Sequence, residues 1–207
     1  MLSGLSSTDL LIVLVSIIIS LSLHEAMHGF AAHWLGDTTA QEMGRLTLNP
    51  LKHIDLLTTV LLPVVMIITI GQPFFAAKPV PFNPSRVRHD EFGVALIGLA
   101  GPLTNLVLAI IAALILRFVQ IPGSFLYNAL IIFTEVNVGF FIFNMIPFPP
   151  LDGSRLLYAF APEGLQAIMR QIESYGFTAI LVFMLVIFQF GSGLLINVEN
   201  AVLRFLL

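Results

Sequence analysis

Long uncharged apolar runs leave this chain few folds to choose from. Leu10 to Leu23, Leu56 to Ala77, Phe92 to Leu116, Val136 to Leu151 and Ser174 to Val198 alternate with short polar segments, and a helix of about 20 residues crosses the hydrocarbon core of a bilayer. In lipid each backbone N–H and C=O must be paired within the protein, so such runs are predicted to be helical. Apolar residues make up 57% of the chain and charged residues 10%, too little polar surface for a soluble fold of this size. The expected fold class is an all-α integral membrane protein, a polytopic bundle of about five transmembrane helices with a short re-entrant extended segment. The net charge of −3 comes with no basic stripe, which argues against a nucleic-acid partner. Cysteine is absent, so a metal site could use only His, carboxylate and water, and no disulfide can form.

The first helix is predicted from near Asp9 to near Trp34. No Lys or Arg precedes Arg45, so a basic n-region is missing, and this apolar stretch is read as a retained span rather than a cleaved leader. The fourth helix begins after Ile121-Pro122-Gly123, carries Glu135 and Asn137, and ends near Asn144. The more polar stretch from Asp152 to Glu173, with Arg155 and Arg170, reads as an interfacial helix. The second apolar stretch is ambiguous. From Leu56 to about Ile70 a helix would span only roughly 22 Å, short of the ~30 Å core, and the run Phe74 to Pro84, with Pro79 and Pro81, favours extended backbone. A full crossing would split the positive charges between the two sides. A re-entrant unit would instead gather Arg45, Lys52, Lys78, Arg86, Arg88, Arg155 and Arg170 on one side, which the positive-inside rule makes cytoplasmic. The chain reads as a single membrane-embedded domain over 1–207, with a core at about 9–158 and C-terminal helices at about 159–207.

The chemistry concentrates at His24-Glu25-Ala26-Met27-His28, late in the first helix. Residues four apart share a helix face, so both imidazoles can reach one tetrahedral Zn²⁺, while Glu25 is adjacent to take a proton from water. The alternative is a set of polar groups solvated at a helix end, but ionisable residues in apolar spans are costly and usually functional. A hydrolytic zinc site usually takes three protein ligands, and Asp152 is the candidate for the third. It follows Asn144-Met145-Ile146-Pro147-Phe148-Pro149-Pro150-Leu151, whose prolines break the fourth helix, and precedes Gly153, which frees the chain to turn. Read alone, Pro-Pro-Leu-Asp-Gly-Ser is equally a turn leading into a helix N-cap.

The HEAMH pentapeptide, Gly101-Pro102-Leu103-Thr104-Asn105 and the run from Asn144 to Gly153, in this order, resemble the motifs of the site-2 protease family of intramembrane zinc metalloproteases. The resemblance extends from the first helix to about Tyr158. Gly44 to Pro50 and Lys78 to Pro84 resemble connecting segments of its small bacterial-type members. It implies that His24, His28 and Asp152 hold one Zn²⁺ near the cytoplasmic face, that Glu25 is the general base, and that transmembrane proteins or peptides are the substrates. The family's PDZ-like insertion has no space here. Asn144 would touch substrate or orient a ligand, or else cap free helix carbonyls. Asn105 would bridge helices beside the site, with Gly101 and Pro102 serving close packing and the start of a helix. His33, His53 and His89 fall off the ligand face or in polar connections, where solvation or a supporting role is expected. The extended segment from Lys78 to Pro84 could hold an unwound substrate by strand addition. Two other function classes fit part of the pattern: a membrane metal-ion transporter, which would stagger its acidic and His residues through several helices, and an inactive scaffold, which would not need Glu25.

Overall fold

In the computed structural model, residues 6–55, 59, 61–70, 77–119 and 121–207 are described. The first helix, α1 (Ser7–Trp34), starts where Ser6 Oγ accepts from the Asp9 N–H and Asp9 Oδ2 accepts from the Ser6 N–H, a reciprocal cap that satisfies two otherwise unpaired donors. It ends at Gly36, whose φ of +102° suits glycine; there the Asp37 N–H reaches back to the Ala32 carbonyl. A short helix, α2 (Thr39–Glu42), follows, and then α3 (Leu62–Ile70). The long α4 (Asp90–Leu116) and α5 (Phe125–Asn144) come next. Two amphipathic helices, α6 (Gly153–Phe160) and α7 (Glu163–Ser174), precede α8 (Phe177–Val186), which passes through a wide turn at Ile187–Gly191 into α9 (Ser192–Leu206).

Among the described residues four helical segments are long and apolar enough to cross a bilayer: Ser7–Trp34, Asp90–Leu116, Phe125–Asn144 and Thr178–Leu206. The chain is thus an all-helical, multi-pass membrane protein, with no strand among the described residues. The remaining apolar run, Leu56 to Ala77, contributes α3, whose nine residues extend only about 14 Å. The parts of the predicted re-entrant unit at 56–58, 60 and 71–76 lie outside the described residues.

One expected element divides in two. The interfacial stretch is broken between α6 and α7, where Pro162 lacks an N–H and Ala161 is extended at φ −75°, ψ 142°, as the residue before proline must be.

Helix α4 is the hub. It packs against α1, α5 and α6, and α1 also packs against α5. Its buried positions are mostly small: Gly93, Ala95, Gly98, Gly101, Ala109, Ala112 and Ala113. In lipid there is no hydrophobic drive between helices, so close backbone approach through small residues does this work. Leu10, Leu11, Leu14, Val15 and Ile19 of α1 stay exposed on the opposite face. The end of α1 adjoins the start of α4, since the Arg88 N–H donates to the Leu35 carbonyl. At the other end, Leu116, Arg117, Tyr127 and Leu207 line one cavity. Connectivity therefore puts Arg117 and Arg204 at one end of the bundle and the loops with Arg45, Lys52, Lys78, Arg86 and Arg88 at the other.

An extended strap at 77–83 crosses the end of α1 and is tied down at several points. The Lys78 N–H donates to the His53 carbonyl at 2.9 Å, and Arg45 Nη2 donates to the Lys78 carbonyl at 2.9 Å. Asp37, fully buried, accepts from the Asn83 N–H at 2.6 Å and from the Thr39 hydroxyl and N–H. Burial acts to raise the Asp37 carboxyl pKa, but the bonds from Thr39 and Asn83 outweigh it and hold the group below the usual aspartate value. Because the folded value is depressed, this stabilisation is present above the unfolded range near ~4 and fades as pH falls through the folded value. Asp37→Ala should therefore cost about 1–3 kcal/mol at neutral pH by leaving buried donors unpaired. In detergent, its thermal unfolding should converge on that of the parent protein only below ~pH 4.

Candidate metal centre

Three side chains from two distant stretches meet at the loop end of α1. His24 Nε2 and His28 Nε2 lie 3.1 Å apart, and Asp152 Oδ2 lies 3.0 Å from the first and 3.4 Å from the second. Among the described residues these three are the His and carboxylate cluster whose donor atoms all fall within 4.8 Å of one another. Both histidines are buried. A tetrahedral ion with bonds of about 2.0–2.1 Å separates neighbouring ligand atoms by about 3.3 Å, so the observed triangle fits one face of such a site.

The hydrogen bonds on the far side of each ring support the same reading. His28 Nδ1 is 2.7 Å from the Ile97 carbonyl, and His24 Nδ1 is 2.6 Å from Asn105 Oδ1. A carbonyl oxygen accepts only, so both Nδ1 atoms carry a proton, and in the neutral rings both Nε2 atoms present lone pairs. Two lone pairs and a carboxylate oxygen then crowd one point, an arrangement that requires positive charge among them. The donor set, two imidazoles and a carboxylate, suits zinc.

Asp152 reaches the histidines because of how its turn is built. It occupies the position before α6 but makes no side-chain bond to the helix start, so its carboxylate is not used as the cap that the sequence equally allowed. A Cβ on Gly153 would lie 2.4 Å from the Met145 carbonyl, and a Cβ on Gly98 would lie 3.0 Å from the Asp152 carbonyl. Glycine at both positions lets the broken end of α5 fold back against α4. Gly101 matters as much, since a Cβ there would sit 2.4 Å from His28 Nε2 and 2.6 Å from His24 Nε2. Close packing is thus confirmed for Gly101, but Pro102 lies in the middle of α4 rather than at a helix start.

Glu25 is half-buried, and its Oε2 accepts from the Val80 N–H at 2.8 Å. The strap thus touches Glu25 directly. The Lys78 and Asn83 N–H groups are also bonded inside the protein, and Pro79 and Pro81 have no N–H to give. A cavity of about 240 Å³ opens onto the cluster, lined by His24, Glu25, His28 and Asp152 together with Val80, Phe140, Asn144 and Ile180. Asn144 donates to the Phe140 carbonyl as well as lining the cavity. Asn105 is fully buried and bonded to His24, so it joins α4 to α1 beside the cluster. His33 and His89 are exposed. His53 is buried instead of solvated, its Nε2 donating to the Thr47 carbonyl at 2.8 Å. Nothing in the sequence pointed to Val80 as a partner of Glu25, because a backbone N–H carries no residue signature.

Known proteins of the same kind exist. The chain is 36% identical over 195 residues, 90% of its own length and 85% of the relative's, to the "Putative zinc metalloprotease YwhC" of Bacillus subtilis. It is 30% identical over 176 residues, 84% of its length and 67% of the relative's, to the "Putative zinc metalloprotease Rip2" of Mycolicibacterium smegmatis. It is 38% identical over 90 residues, 44% of its length and 46% of the relative's, to the "Putative zinc metalloprotease MJ0611" of Methanocaldococcus jannaschii. No family model matches the chain, and no solved structure does.

Two substitutions test this geometry. Gly101→Ala should drive the two imidazoles apart and cut the zinc retained on purification by about 10-fold or more. Val80→Pro removes the donor to Glu25 and alters a buried side chain packed near Gly29, away from the three ligand atoms, so zinc content should stay at the parent level while any hydrolytic turnover falls by about 10-fold.

Proposed function

The chain belongs to the site-2 protease family of zinc metalloproteases, and on that premise we propose that it is an intramembrane endopeptidase that cleaves peptide bonds in or next to transmembrane segments of other membrane proteins. The observation that carries this reading is the convergence of His24 Nε2, His28 Nε2 and Asp152 Oδ2 beside a carboxylate, Glu25, on the wall of one cavity. In this reading His24, His28 and Asp152 hold a single zinc ion, which supplies Lewis acidity to the attacking water and to the scissile carbonyl. Glu25 accepts the proton of that water and returns it to the departing amine. Its carboxylate has lone pairs enough to keep the Val80 N–H while it does so, and that bond holds the group in one place. Asn144, at the cavity wall, contacts the substrate backbone. Apolar Phe140 and Ile180 on the same wall suit a membrane-derived peptide, which must unwind locally to expose a carbonyl.

The positive charges support a cytoplasmic site. Arg45, Lys52, Lys78, Arg86 and Arg88 sit in loops at the end of the bundle that carries the cluster, and the positive-inside rule assigns that end to the cytoplasm. The whole of 1–207 acts as one domain in this reading.

Purified protein and two variants separate the function classes. Glu25→Gln should keep zinc and lose cleavage of a model transmembrane substrate by about 10²-fold or more, whereas transport of metal ions would persist. Asp152→Ala should lose both zinc and cleavage; retention of both would remove Asp152 from the ligand set and the proposal with it.

A further inference from the structure

Two buried carboxamides connect His24 to a helix that contributes no ligand to the cluster. Asn105 on α4 and Asn137 on α5 are both fully buried. Asn137 Nδ2 donates to the Phe133 carbonyl at 2.8 Å, Asn105 Nδ2 donates to Asn137 Oδ1 at 2.9 Å, and His24 Nδ1 donates to Asn105 Oδ1 at 2.6 Å. The Ser20 carbonyl faces the same amino group of Asn105 from 3.5 Å, at the limit of bonding.

The chain of bonds can run in one direction only. The Phe133 carbonyl accepts and cannot donate, so the Asn137 amino group must face it and Asn137 Oδ1 must face Asn105. The Asn105 amino group must then turn toward Asn137, which leaves Asn105 Oδ1 for the imidazole. His24 therefore keeps its proton on Nδ1 and its lone pair on Nε2, the atom 3.0 Å from Asp152. A second carbonyl, that of Ile97, fixes His28 directly, but His24 depends on a side-chain amide that could turn over if nothing held its other end.

Taking the ligand assignment above as given, we propose that Asn137 is a positioning residue for the metal centre: it holds the Asn105 amide in the orientation that leaves His24 able to bind the ion through Nε2. With Asn137 removed, only the Ser20 carbonyl, at 3.5 Å, still faces the amino group, and the Asn105 amide can rotate by half a turn and offer that group to His24. The imidazole then accepts at Nδ1 and carries its proton on Nε2, where it cannot ligate. Partners that orient a ligating histidine typically contribute 10-fold to 100-fold to metal affinity, and here that contribution originates two side chains away.

The test is a double-variant cycle on the full chain in detergent, read as zinc affinity by competition with a chromophoric chelator and as the absorption spectrum of the Co²⁺-loaded protein. Asn137→Leu, close in size, should weaken zinc binding by about 10-fold and alter the Co²⁺ bands. Adding Asn105→Asp should restore affinity to within about threefold of the parent, because a carboxylate presents an acceptor to His24 whichever way it turns. If Asn137→Leu cannot be recovered folded, Asn137→Ser serves in its place; its hydroxyl can bond the Phe133 carbonyl but is too short to reach Asn105, and the same loss and the same rescue are expected. A role in packing alone would give equal losses in both Asn105 backgrounds, and that result, or unchanged affinity in the single variant, overturns the proposal. His24→Ala is the control for the underlying assignment: if it binds zinc as tightly as the parent, His24 is not a ligand, whatever the Asn137 variants do.

Discussion

The close approach of α4 to α1 and to the Asp152 turn is the contact on which the rest of the molecule depends. At Gly101 there is no room for even one methyl group beside the two imidazoles, and at Gly98 the backbone of the turn and the stem of Arg155 lie where a side chain would be. Without those two glycines the histidines of α1 and the aspartate beyond α5 would be held too far apart to share an ion. In a bilayer the helices gain little from hiding apolar surface against one another. Small-residue packing therefore brings the backbones together, and bonds between polar groups set their relative depth.

Each functional side chain is held by a group from another element. His28 leans on the Ile97 carbonyl of α4, His24 on the Asn105 amide of the same helix, and Glu25 on the Val80 N–H of the strap. The strap in turn is fixed by Asp37 and Arg45, which lie just beyond the end of α1. A long rigid helix thus carries the reactive groups, while α4 and the strap decide where those groups point. Phe140 and Asn144 of α5 and Ile180 of α8 line the cavity beside these groups.

Much of this was legible in the sequence, and the parts that were not share a cause. The helical spans at Ser7–Trp34, Asp90–Leu116 and Phe125–Asn144 follow from apolar length and from glycine and proline at their ends, because lipid leaves the backbone no other way to pair its polar groups. The break at Ala161-Pro162 divides the polar stretch where proline removes an N–H and holds the residue before it extended. For His53 the sequence allowed solvation or a supporting role, and the folded loop encloses it. The strap reads in sequence as a strand edge that could hold a substrate, and its contact with Glu25 through the Val80 N–H was not legible there.

By itself the sequence determined the span pattern, the imidazole pair one helical turn apart and the carboxylate beside it, since all of these depend on local spacing along a single helix. It also named Asp152, although spacing alone left that residue as a helix cap or a ligand. Only the tertiary structure brings Asp152 across 128 residues of chain to within 3.0 Å of His24, with no side-chain bond to the start of α6. The same holds for Asn105 and Val80. Their contacts depend on which small residues let two backbones meet, a property of packed pairs of elements that no single stretch of sequence contains.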